Sequence, residues 1–414
     1  MWRATAARDI LHAIGFLEAS RETHVARAVL LQALCRPALT AAWLACAAAA
    51  AEDVATVPQP AIEKDRFAAT ADGTPVDRYT LRNGRGATVR LITFGATVTE
   101  LWVPDREGTP ADVVLGFDAI EPYERPRTYL GCTVGRVAFR IDEGRFTLDG
   151  QPYQLSINAA PHHLHGGTKG LSKVVWRAEP LETAAGPAVR LSCTSPDGDQ
   201  GYPGTLDVVA LHTLTADNEL RIDYRATTDR PTPVSLTHHG AFNLAGAGQG
   251  DVLGHVLQLE AAARPARGPR GMPSGVIEPL AGTPYDFRRP KTIAADMRPG
   301  TATADGFDTA FVVERPRDGL VRVARLVEPK SGRVMEVLST APAVVLYTGN
   351  YLDGTLTGKD GIPYQRHAGL CLETGNLPNS VNRPEFPSII LRPGETYEQT
   401  CVYRFSVDPG PAPR

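Results

Sequence analysis

Segments with helical periodicity are scarce in this 414-residue chain after about residue 60. Charge of one sign does not dominate either, since 43 lysines and arginines stand against 46 aspartates and glutamates. That balance gives no strongly basic surface, and we expect no nucleic-acid partner. The chain also has no CxxC pair and no Walker A, GxSxG or HExxH pattern. Zinc knuckles, thioredoxin-like redox sites, P-loops, serine-hydrolase elbows and zincin-type metal sites are therefore excluded.

Strand and turn signals take the place of helices. The chain contains 39 glycines and 34 prolines, and Asn-Gly, Asp-Gly and Pro-Gly pairs punctuate runs of alternating or β-branched residues. These runs are VDRYTLRN, ATVRLITFGATVTELWVP, AVRLSCTS, LDVVALHTLTA, LRIDYRATTD, RVMEVLSTAPAVVLYTG and TCVYRFSVD. No strand–helix–strand alternation appears, which disfavours a parallel sheet. We therefore predict an all-β domain, a large antiparallel β-sandwich over residues 69–408, preceded by a linker over residues 53–68.

The N-terminal segment, residues 1–52, differs from the rest in composition. Arg21, Arg27 and Arg36 precede an uncharged, alanine-rich stretch over residues 38–51. A basic flank, a short apolar core and small residues at its end are typical of a secretory signal peptide. The core is too short for a membrane span of about 20 apolar residues, so we expect export, to a bacterial periplasm, with no stable membrane insertion once the signal is removed. The alternative is an amphipathic N-terminal helix on a cytoplasmic protein.

Four of the six cysteines lie beyond the predicted signal. Cys132, Cys193, Cys371 and Cys401 are widely separated, and each sits in an apolar, strand-like stretch. Four cysteines could form one or two disulfides. This setting instead favours free thiols that pack as small buried hydrophobic side chains.

The segment APHHLHGGTKG is rich in histidine and contains His162, His163 and His165. If it is extended, alternation places His163 and His165 on one face. A metal would need a further ligand from a distant part of the chain, because no cysteine or carboxylate lies nearby in sequence, and we predict no metal site. The two glycines that follow allow positive φ and a close backbone approach, as ligand-lining loops often need. The pattern favours binding or proton transfer over metal ligation and over an incidental surface loop.

Several motifs together resemble one known family. The segment from Asn158 to Trp176, NAAPHHLHGGTKGLSKVVW, resembles the NxxPNxLHGGxxGFDxxxW segment of the aldose 1-epimerase (galactose mutarotase) family. GCTVGRVAFRI before it resembles GxxxGRxANRI. The further matches, in the family's order, are SPDGDQGYPGTL, LTHHGAFNLAG, GTPYDFRRP, DGFDTAF, VVLYTGNYLDGT and GLCLETGNLPNSVNRPEFP. The resemblance covers about residues 70–405.

This resemblance implies a large β-sandwich that binds a pyranose in an open cleft and interconverts the α and β anomers of a free aldose. Ring opening removes the proton from the C1 hydroxyl and protonates the ring oxygen. Rotation about the C1–C2 bond then lets the ring close on the other face of the aldehyde. A carboxylate and an imidazole suit this chemistry, because each step needs a general base and a general acid. We therefore expect no cofactor, a monosaccharide partner, and a monomer or homodimer.

Carried over position by position, the resemblance implies three catalytic residues. Glu373 in CLETGN matches the base, His239 in THHGAFN matches the acid that protonates the ring oxygen, and His165 in LHGG matches a second histidine near that oxygen. Glu373 follows the apolar residues GLCL, so we expect it at the end of a buried strand, with a pKa raised toward neutrality. Arg140 in VAFRI and Asp308 in GFDTAF match substrate-holding residues, although by themselves they could form a surface ion pair.

Departures from the family pattern cluster around these residues. Phe139 replaces an Asn before the substrate Arg, and Gly375 replaces a Gln after the Glu-Thr pair. The other departures are His162, His238, Gly240, Ala241 and Thr309. We assign Phe139, His163 and Gly375 to the substrate-binding shell. A lost amide could remove a sugar contact worth about 0.5–1.5 kcal/mol, and the Phe139 ring could compensate by stacking on a sugar CH face. These departures predict an altered sugar preference on a retained acid–base core.

Two alternatives have a different function on a similar scaffold. A non-catalytic or weakly active sugar-binding protein would suit the altered shell, but a binder has no need of a base–acid pair. A polysaccharide lyase or hydrolase would call for a companion helical domain and exposed aromatic stripes, and neither is visible in the sequence.

Overall fold

The structure is a computed structural model that describes residues 59–314 and 319–410. The predicted signal, residues 1–52, lies outside the described residues. The runs of alternating and β-branched residues form strands, as predicted. In chain order the strands are β1 (Ala61–Ala69), β2 (Pro75–Arg82), β3 (Thr88–Ile92), β4 (Thr97–Pro104), β5 (Pro110–Asp112), β6 (Thr133–Val134), β7 (Arg140–Ile141), β8 (Arg145–Leu148), β9 (Gln151–Gln154), β10 (His163–Leu164), β11 (Arg177–Thr183), β12 (Gly186–Ser195), β13 (Leu206–Leu214), β14 (Glu219–Thr228), β15 (Thr232–Pro233), β16 (Thr237–His238), β17 (Ala241–Phe242), β18 (Val256–Leu259), β19 (Ala261–Arg267), β20 (Pro273–Pro279), β21 (Lys291–Thr292), β22 (Asp308–Val313), β23 (Val321–Val327), β24 (Arg333–Ser339), β25 (Ala343–Tyr347), β26 (Leu370–Gly375), β27 (Ile390–Leu391) and β28 (Tyr397–Val407).

Helices are few and short within the described ranges. They comprise one α-helical turn, α1 (Glu121–Glu124), and 3-10 turns at Asp142–Gly144, Leu171–Lys173, Asp199–Gly201, Pro269–Gly271, Ile293–Asp296, Lys359–Gly361 and Ser380–Asn382. None of the helices described is long and apolar enough to cross a membrane. The scarcity of helical periodicity in the sequence is thus matched by the structure.

Three large sheets contain most of the strands. The nine-stranded sheet has the order β11-β12-β13-β14-β28-β24-β23-β18-β21, the six-stranded sheet β17-β26-β25-β22-β19-β20, and the five-stranded sheet β1-β2-β3-β4-β5. Their ladders are antiparallel. This topology confirms the predicted antiparallel all-β architecture.

One hydrophobic core joins the three sheets. It contains Leu81 of the five-stranded sheet, Ile222 of the nine-stranded sheet and Leu372 of the six-stranded sheet, all fully buried. Residues that alternate with polar neighbours along each strand therefore meet between the sheets, as a sandwich requires. The opposite face of the six-stranded sheet turns away from this core and packs against residues such as Phe139 and Leu164.

Glycines at the predicted turns adopt the left-handed backbone that those turns require. Gly84, Gly150, Gly198, Gly354 and Gly394 all have φ between 71° and 87°. Asp149 and Gly150 connect β8 to β9, and both have positive φ. That combination matches the type I′ hairpin expected for an Asp-Gly pair.

Strand β1 differs from the predicted linker over residues 53–68. It pairs with β2 along its length and forms an edge of the five-stranded sheet. Its central residues, Glu63 to Arg66, are charged and exposed. Charges are common on edge strands, because they discourage pairing with other chains. The same charges gave this segment the composition of a linker.

The four described cysteines are free thiols, as expected. Cys132, Cys371 and Cys401 are buried, and Cys193 is half-buried. They pack within the sandwich as small apolar side chains.

Candidate active site

The face of the six-stranded sheet that turns away from the core contains two short rows of side chains. Strand register pairs residues of β26, β25 and β22 side by side, and residues two apart on one strand share a face. The rows are Glu373–Val345–Ala310 and Cys371–Tyr347–Asp308. Glu373 and Asp308 therefore lie at opposite corners of a small patch whose centre is apolar.

Glu373 is a buried carboxylate with one oxygen unused. Only 2% of the residue is exposed, and Oε2 has no hydrogen-bond partner. Burial is the main cause that raises the pKa of Glu373 well above its usual range; nearby Asp308 raises it further, and Arg140 opposes the shift. This location confirms the expectation of a carboxyl group on a buried strand with a raised pKa. An unpaired buried acceptor is costly to keep, and it suits a hydroxyl group supplied by a ligand.

His239 lies next to Glu373, in the turn between β16 and β17. Its Nε2 atom is 3.7 Å from Oε1 of Glu373, too far for a hydrogen bond but close enough for both to contact one ligand group. Its Nδ1 atom is 3.6 Å from Sγ of Cys371. Burial raises the pKa of the Cys371 thiol, so this sulfur stays protonated. Nε2 is thus the nitrogen that is free to exchange a proton with a ligand.

Burial acts on both members of this pair in the direction of neutrality. It lowers the pKa of His239 to about 4 and raises that of Glu373. The arrangement with the proton on the carboxyl group and a neutral imidazole is therefore favoured over the ion pair. Because the two groups are adjacent, the proton they hold belongs to the pair.

His165 faces the same patch with a fixed tautomer. The backbone N–H of Phe139 donates to its Nδ1 at 3.3 Å, and the N–H of His165 donates to the carbonyl of Phe139 at 3.0 Å. Since Nδ1 accepts, the neutral ring carries its proton on Nε2. Burial lowers the pKa of His165 well below its usual value, and His239 and Arg140 lower it further. His165 is therefore a neutral hydrogen-bond donor.

The glycines after His165 allow this loop to pack against the chain beneath it. His165 itself has φ of 52° and Gly166 has φ of 82°. A Cβ on Gly166 would overlap the carbonyl oxygen of Gly135. The predicted need for close backbone approach and positive φ in this segment is confirmed.

His163 does not reach the patch, which corrects its predicted role in binding substrate. It is fully buried, with Nδ1 2.7 Å from the carbonyl oxygen of Ser156 and Nε2 2.7 Å from the hydroxyl of Tyr202. The left-handed backbone of His165 breaks the two-residue alternation that would have placed both rings on one face. His163 is thus a structural residue.

Arg140 and Asp308 line a cavity of about 550 Å³ beside this patch. Nη1 of Arg140 is 3.8 Å from Oδ2 of Asp308, and each side chain is about one-third exposed, 33% and 32%. A contact this loose leaves hydrogen-bonding capacity on both groups. Their position on the cavity wall fits the expected substrate-holding role better than a surface ion pair does.

Phe139 and Gly375 form a matched pair at the site. Phe139 lines the cavity, is 6% exposed and has φ of 68°, a conformation that costs a side chain with Cβ about 1–2 kcal/mol. A Cβ on Gly375 would lie 3.2 Å from Cε2 of the Phe139 ring. Gly375 is absent from the cavity wall and instead leaves room for the ring. Its predicted contact with the sugar becomes a packing role.

A metal fits this site poorly on the chemistry of its donors. Across the described ranges, His165, His239 and Glu373 are the one group whose ligand atoms lie close enough together, within 4.8 Å, to hold an ion. Ligation by His165 would need a bare Nε2, yet the Phe139 N–H holds the proton on that atom. The donor set suits proton transfer.

Two contributors to the site were missed at the level of sequence. Cys371 could have been found, because it precedes Glu373 by two residues on a predicted strand and must share its face. The ring of Tyr129 lies 4.7 Å from that of His165 and 5.8 Å from that of His239. No local pattern signals this contact.

The geometry agrees with comparisons to known proteins. The family model for aldose 1-epimerase matches residues 77–404. The chain belongs to the aldose 1-epimerase family. The resemblance of its motifs to this family is thereby confirmed, and membership makes the protein an isomerase of the aldose 1-epimerase class.

Relatives of the chain are named as galactose mutarotases or aldose 1-epimerases. It is 44% identical over 335 residues to galactose mutarotase from Rattus norvegicus, covering 81% of this chain and 95% of that one. It is 37% identical over 338 residues to aldose 1-epimerase from Escherichia coli, covering 81% and 96%. These identities extend over nearly the whole length of both relatives.

Solved structures of family members share the fold. The GalM/aldose epimerase homologue from C. elegans aligns with a TM-score of 0.72 at 31% identity, over 84% of this chain and 99% of that one. Galactose 1-epimerase from Lactobacillus acidophilus aligns with a TM-score of 0.74 at 27% identity over the same shares. The predicted galactose mutarotase-like sandwich is confirmed.

Proposed function

We propose that this epimerase acts on free aldoses such as galactose and glucose, with Glu373 as base and His239 as acid. The observation that carries the proposal is the pair itself: a buried carboxylate with an unused oxygen lies 3.7 Å from an imidazole nitrogen that is free to exchange a proton. Arg140 and Asp308 stand at the edge of the same patch to hold the sugar hydroxyls.

Ring opening transfers two protons between this pair and the sugar. The reactive state has ionised Glu373 and protonated His239. Glu373 takes the proton of the C1 hydroxyl while Nε2 of His239 gives its proton to the ring oxygen, and the bond between C1 and that oxygen breaks. The products are an open-chain aldehyde, a neutral carboxyl group and a neutral imidazole. After rotation about C1–C2, reversal of both transfers closes the ring as the other anomer.

Burial favours the state that the pair reaches when the ring is open. The buried environment raises the pKa of Glu373 and lowers that of His239, so it stabilises both groups in their neutral forms. It thereby makes His239 a strong acid and Glu373 a strong base in the ion-pair state. His165 contributes a fixed Nε2–H that can donate to a sugar oxygen throughout.

A binding protein without turnover fits the structure less well. A carboxylate that only bound sugar would gain nothing from burial, because desolvation of an incompletely paired charge is costly. The unused oxygen of Glu373 is explained when the group must change its protonation during a reaction.

Polarimetry on freshly dissolved sugars tests the proposal. The full-length protein should accelerate the change in rotation of α-D-galactose, α-D-glucose, or both, above the rate in buffer. As a matched control, Arg225→Gln removes an exposed charge on β14 and should leave the rate unchanged. Failure to accelerate either hexose or an aldopentose would contradict the proposal.

We further propose export and a small assembly for the protein. The support for export is the basic flank and alanine-rich core within residues 1–52. Recovery of a shortened chain from the periplasmic fraction, identified by its mass, is the expected result. An intact chain in the cytoplasm would count against export. Sedimentation should give a monomer or a homodimer.

A further inference from the structure

The cavity beside the catalytic pair is large for a single sugar ring and continues along β19 and the turn after it. Its volume of about 550 Å³ falls in the range of sites for drug-sized ligands, about 300–1,000 Å³. Beyond Arg140 and Asp308 its wall includes three arginines, Arg264, Arg267 and Arg270. These arginines recur every third residue in the sequence ARPARGPRG.

Two of the three arginines are already neutralised within the protein. Nη2 of Arg264 is 2.5 Å from Oε1 of Glu278, and its guanidinium stacks on Tyr285 at 3.9 Å. Nη2 of Arg270 is 2.6 Å from Oδ2 of Asp142. Both charges are therefore balanced by a carboxylate.

Arg267 has no such partner among the described residues. Its side chain makes no ion pair or hydrogen bond there, although it lines the cavity. Two acidic residues share the wall. Asp305 is paired with Arg366 at 3.0 Å, and Asp308 is paired with Arg140. One uncompensated positive charge therefore remains at this end of the cavity.

The position of Arg267 matches the far end of a bound sugar. β19 pairs with β22, with Ala263 opposite Val312, so the antiparallel register brings Arg267 toward Asp308 at the start of β22. Arg267 acts with Arg140 to lower the pKa of Asp308, against the burial that raises it. β19 lies three strands from Glu373, about 14 Å away at about 4.8 Å per strand. The Arg267 guanidinium lies beside Gly271 on the cavity wall, with Nη2 3.3 Å from where a Cβ of Gly271 would stand.

We propose that this end of the cavity binds an anionic substituent on the aldose, carried at the carbon farthest from C1, and that Arg267 is its main ligand. The proposal rests on the proposed function, since it names a substrate class for that site. Carboxylate and phosphate oxygens are the groups that a guanidinium binds best, through paired N–H donors. A hexuronate and a hexose 6-phosphate share this chemistry.

Turnover of three related sugars by the full-length protein tests the proposal. kcat and KM are measured for galactose, galacturonate and galactose 6-phosphate at low ionic strength. The wild type should favour at least one anionic sugar over galactose by about tenfold in kcat/KM, mostly through KM, as a charge-assisted contact with the exposed Arg267 would give. Arg267→Gln should abolish that preference and leave galactose within about twofold. Added salt should weaken the preference in the wild type.

Arg225→Gln is the matched control, because it removes the same charge from an exposed position on β14, where Arg225 lies 3.9 Å from Glu398. It should keep the preference for the anionic sugar. The sugar favoured by the wild type identifies the source of the anion. Turnover of galactose with no preference for either anionic sugar, or an equal loss for all three sugars in Arg267→Gln, would overturn the subsite and leave the epimerase intact. Absence of turnover with every sugar would overturn both.

Discussion

The backbone N–H of Phe139 donates to Nδ1 of His165 at 3.3 Å, and this hydrogen bond gives His165 and His239 different roles in the site. It holds His165 as a donor through Nε2, with a tautomer that cannot change while the bond persists. His239 has no backbone donor on Nδ1, and its neighbour there is the Cys371 thiol. Only His239 is therefore free to gain and lose a proton.

Substituting the two histidines separately should distinguish these roles. His239→Asn removes the acid and should lower kcat by about 10²–10⁴-fold. His165→Asn withdraws the Nε2–H donor, because the Asn amide is shorter, and should lower kcat by about tenfold or less, in line with the loss of one hydrogen bond. Steady-state polarimetry gives both values. A larger loss in His165→Asn would reverse the assignment.

Removing the charge of Glu373 should stabilise the fold while it abolishes activity. Burial raises the pKa of this carboxyl group in the folded state. Above its ordinary pKa the unfolded chain therefore ionises more readily than the folded protein, which lowers the free energy of unfolding. This loss is present at neutral pH. Glu373→Gln has no charge to bury. Its free energy of unfolding in urea at pH 7 should exceed that of the wild type. Equal or lower stability would show that the folded protein does not penalise this charge.

Phe139 and Gly375 should be coupled energetically. Gly375→Ala places a Cβ 3.2 Å from the Phe139 ring, and overpacking of this kind costs about 1–3 kcal/mol. In a Phe139→Ala background the ring is absent, so the same change should cost much less. Urea unfolding of the two single variants, the double variant and the wild type completes the cycle. Additive effects would mean that the ring moves aside freely.

Two buried histidines outside the site should make the fold sensitive to acid. Burial lowers the pKa of His212 from 6.5 to about 4 and that of His238 to about 3. The unfolded chain therefore binds these protons first as the pH falls. Above about pH 6.5 these two histidines should not lower the free energy of unfolding. Below that pH each should lower it by about 1.4 kcal/mol per pH unit.

His212→Leu tests this source of acid sensitivity. Neither ring nitrogen of His212 forms a hydrogen bond of normal geometry, so an apolar replacement should leave stability at pH 7 nearly unchanged. Between pH 6.5 and 5 the variant should lose less stability than the wild type. Parallel losses in the two proteins would assign the sensitivity to other groups.

The strands and turns could be predicted from the sequence because their signals are local. Alternation identifies β2, β13 and β14, and the Asp-Gly pair identifies the hairpin between β8 and β9. Glu373 was placed on a buried strand by the apolar residues before it. The charges on β1 led to the wrong prediction of a linker, because an edge strand in contact with solvent can have the same composition as a linker.

The contacts that complete the site could not be predicted, because they join residues far apart in sequence. The alternation that should have paired His163 with His165 fails at one residue with positive φ. The room that Gly375 gives to Phe139 depends on a contact across 236 residues. Glu278 pairs with Arg264 and Asp142 pairs with Arg270, and neither pairs with Arg267 between them. Local sequence patterns do not show which distant residues come into contact.

Exchange NMR on the anomeric protons of galactose measures the rate at which the protein interconverts the two anomers at equilibrium. Wild-type protein should give exchange cross-peaks that grow with its concentration. Glu373→Gln, which keeps the shape of the side chain and removes the base, should give exchange no faster than buffer while it still binds the sugar. Exchange in that variant close to the wild-type rate would show that the protons that open the ring are not exchanged by Glu373 and His239.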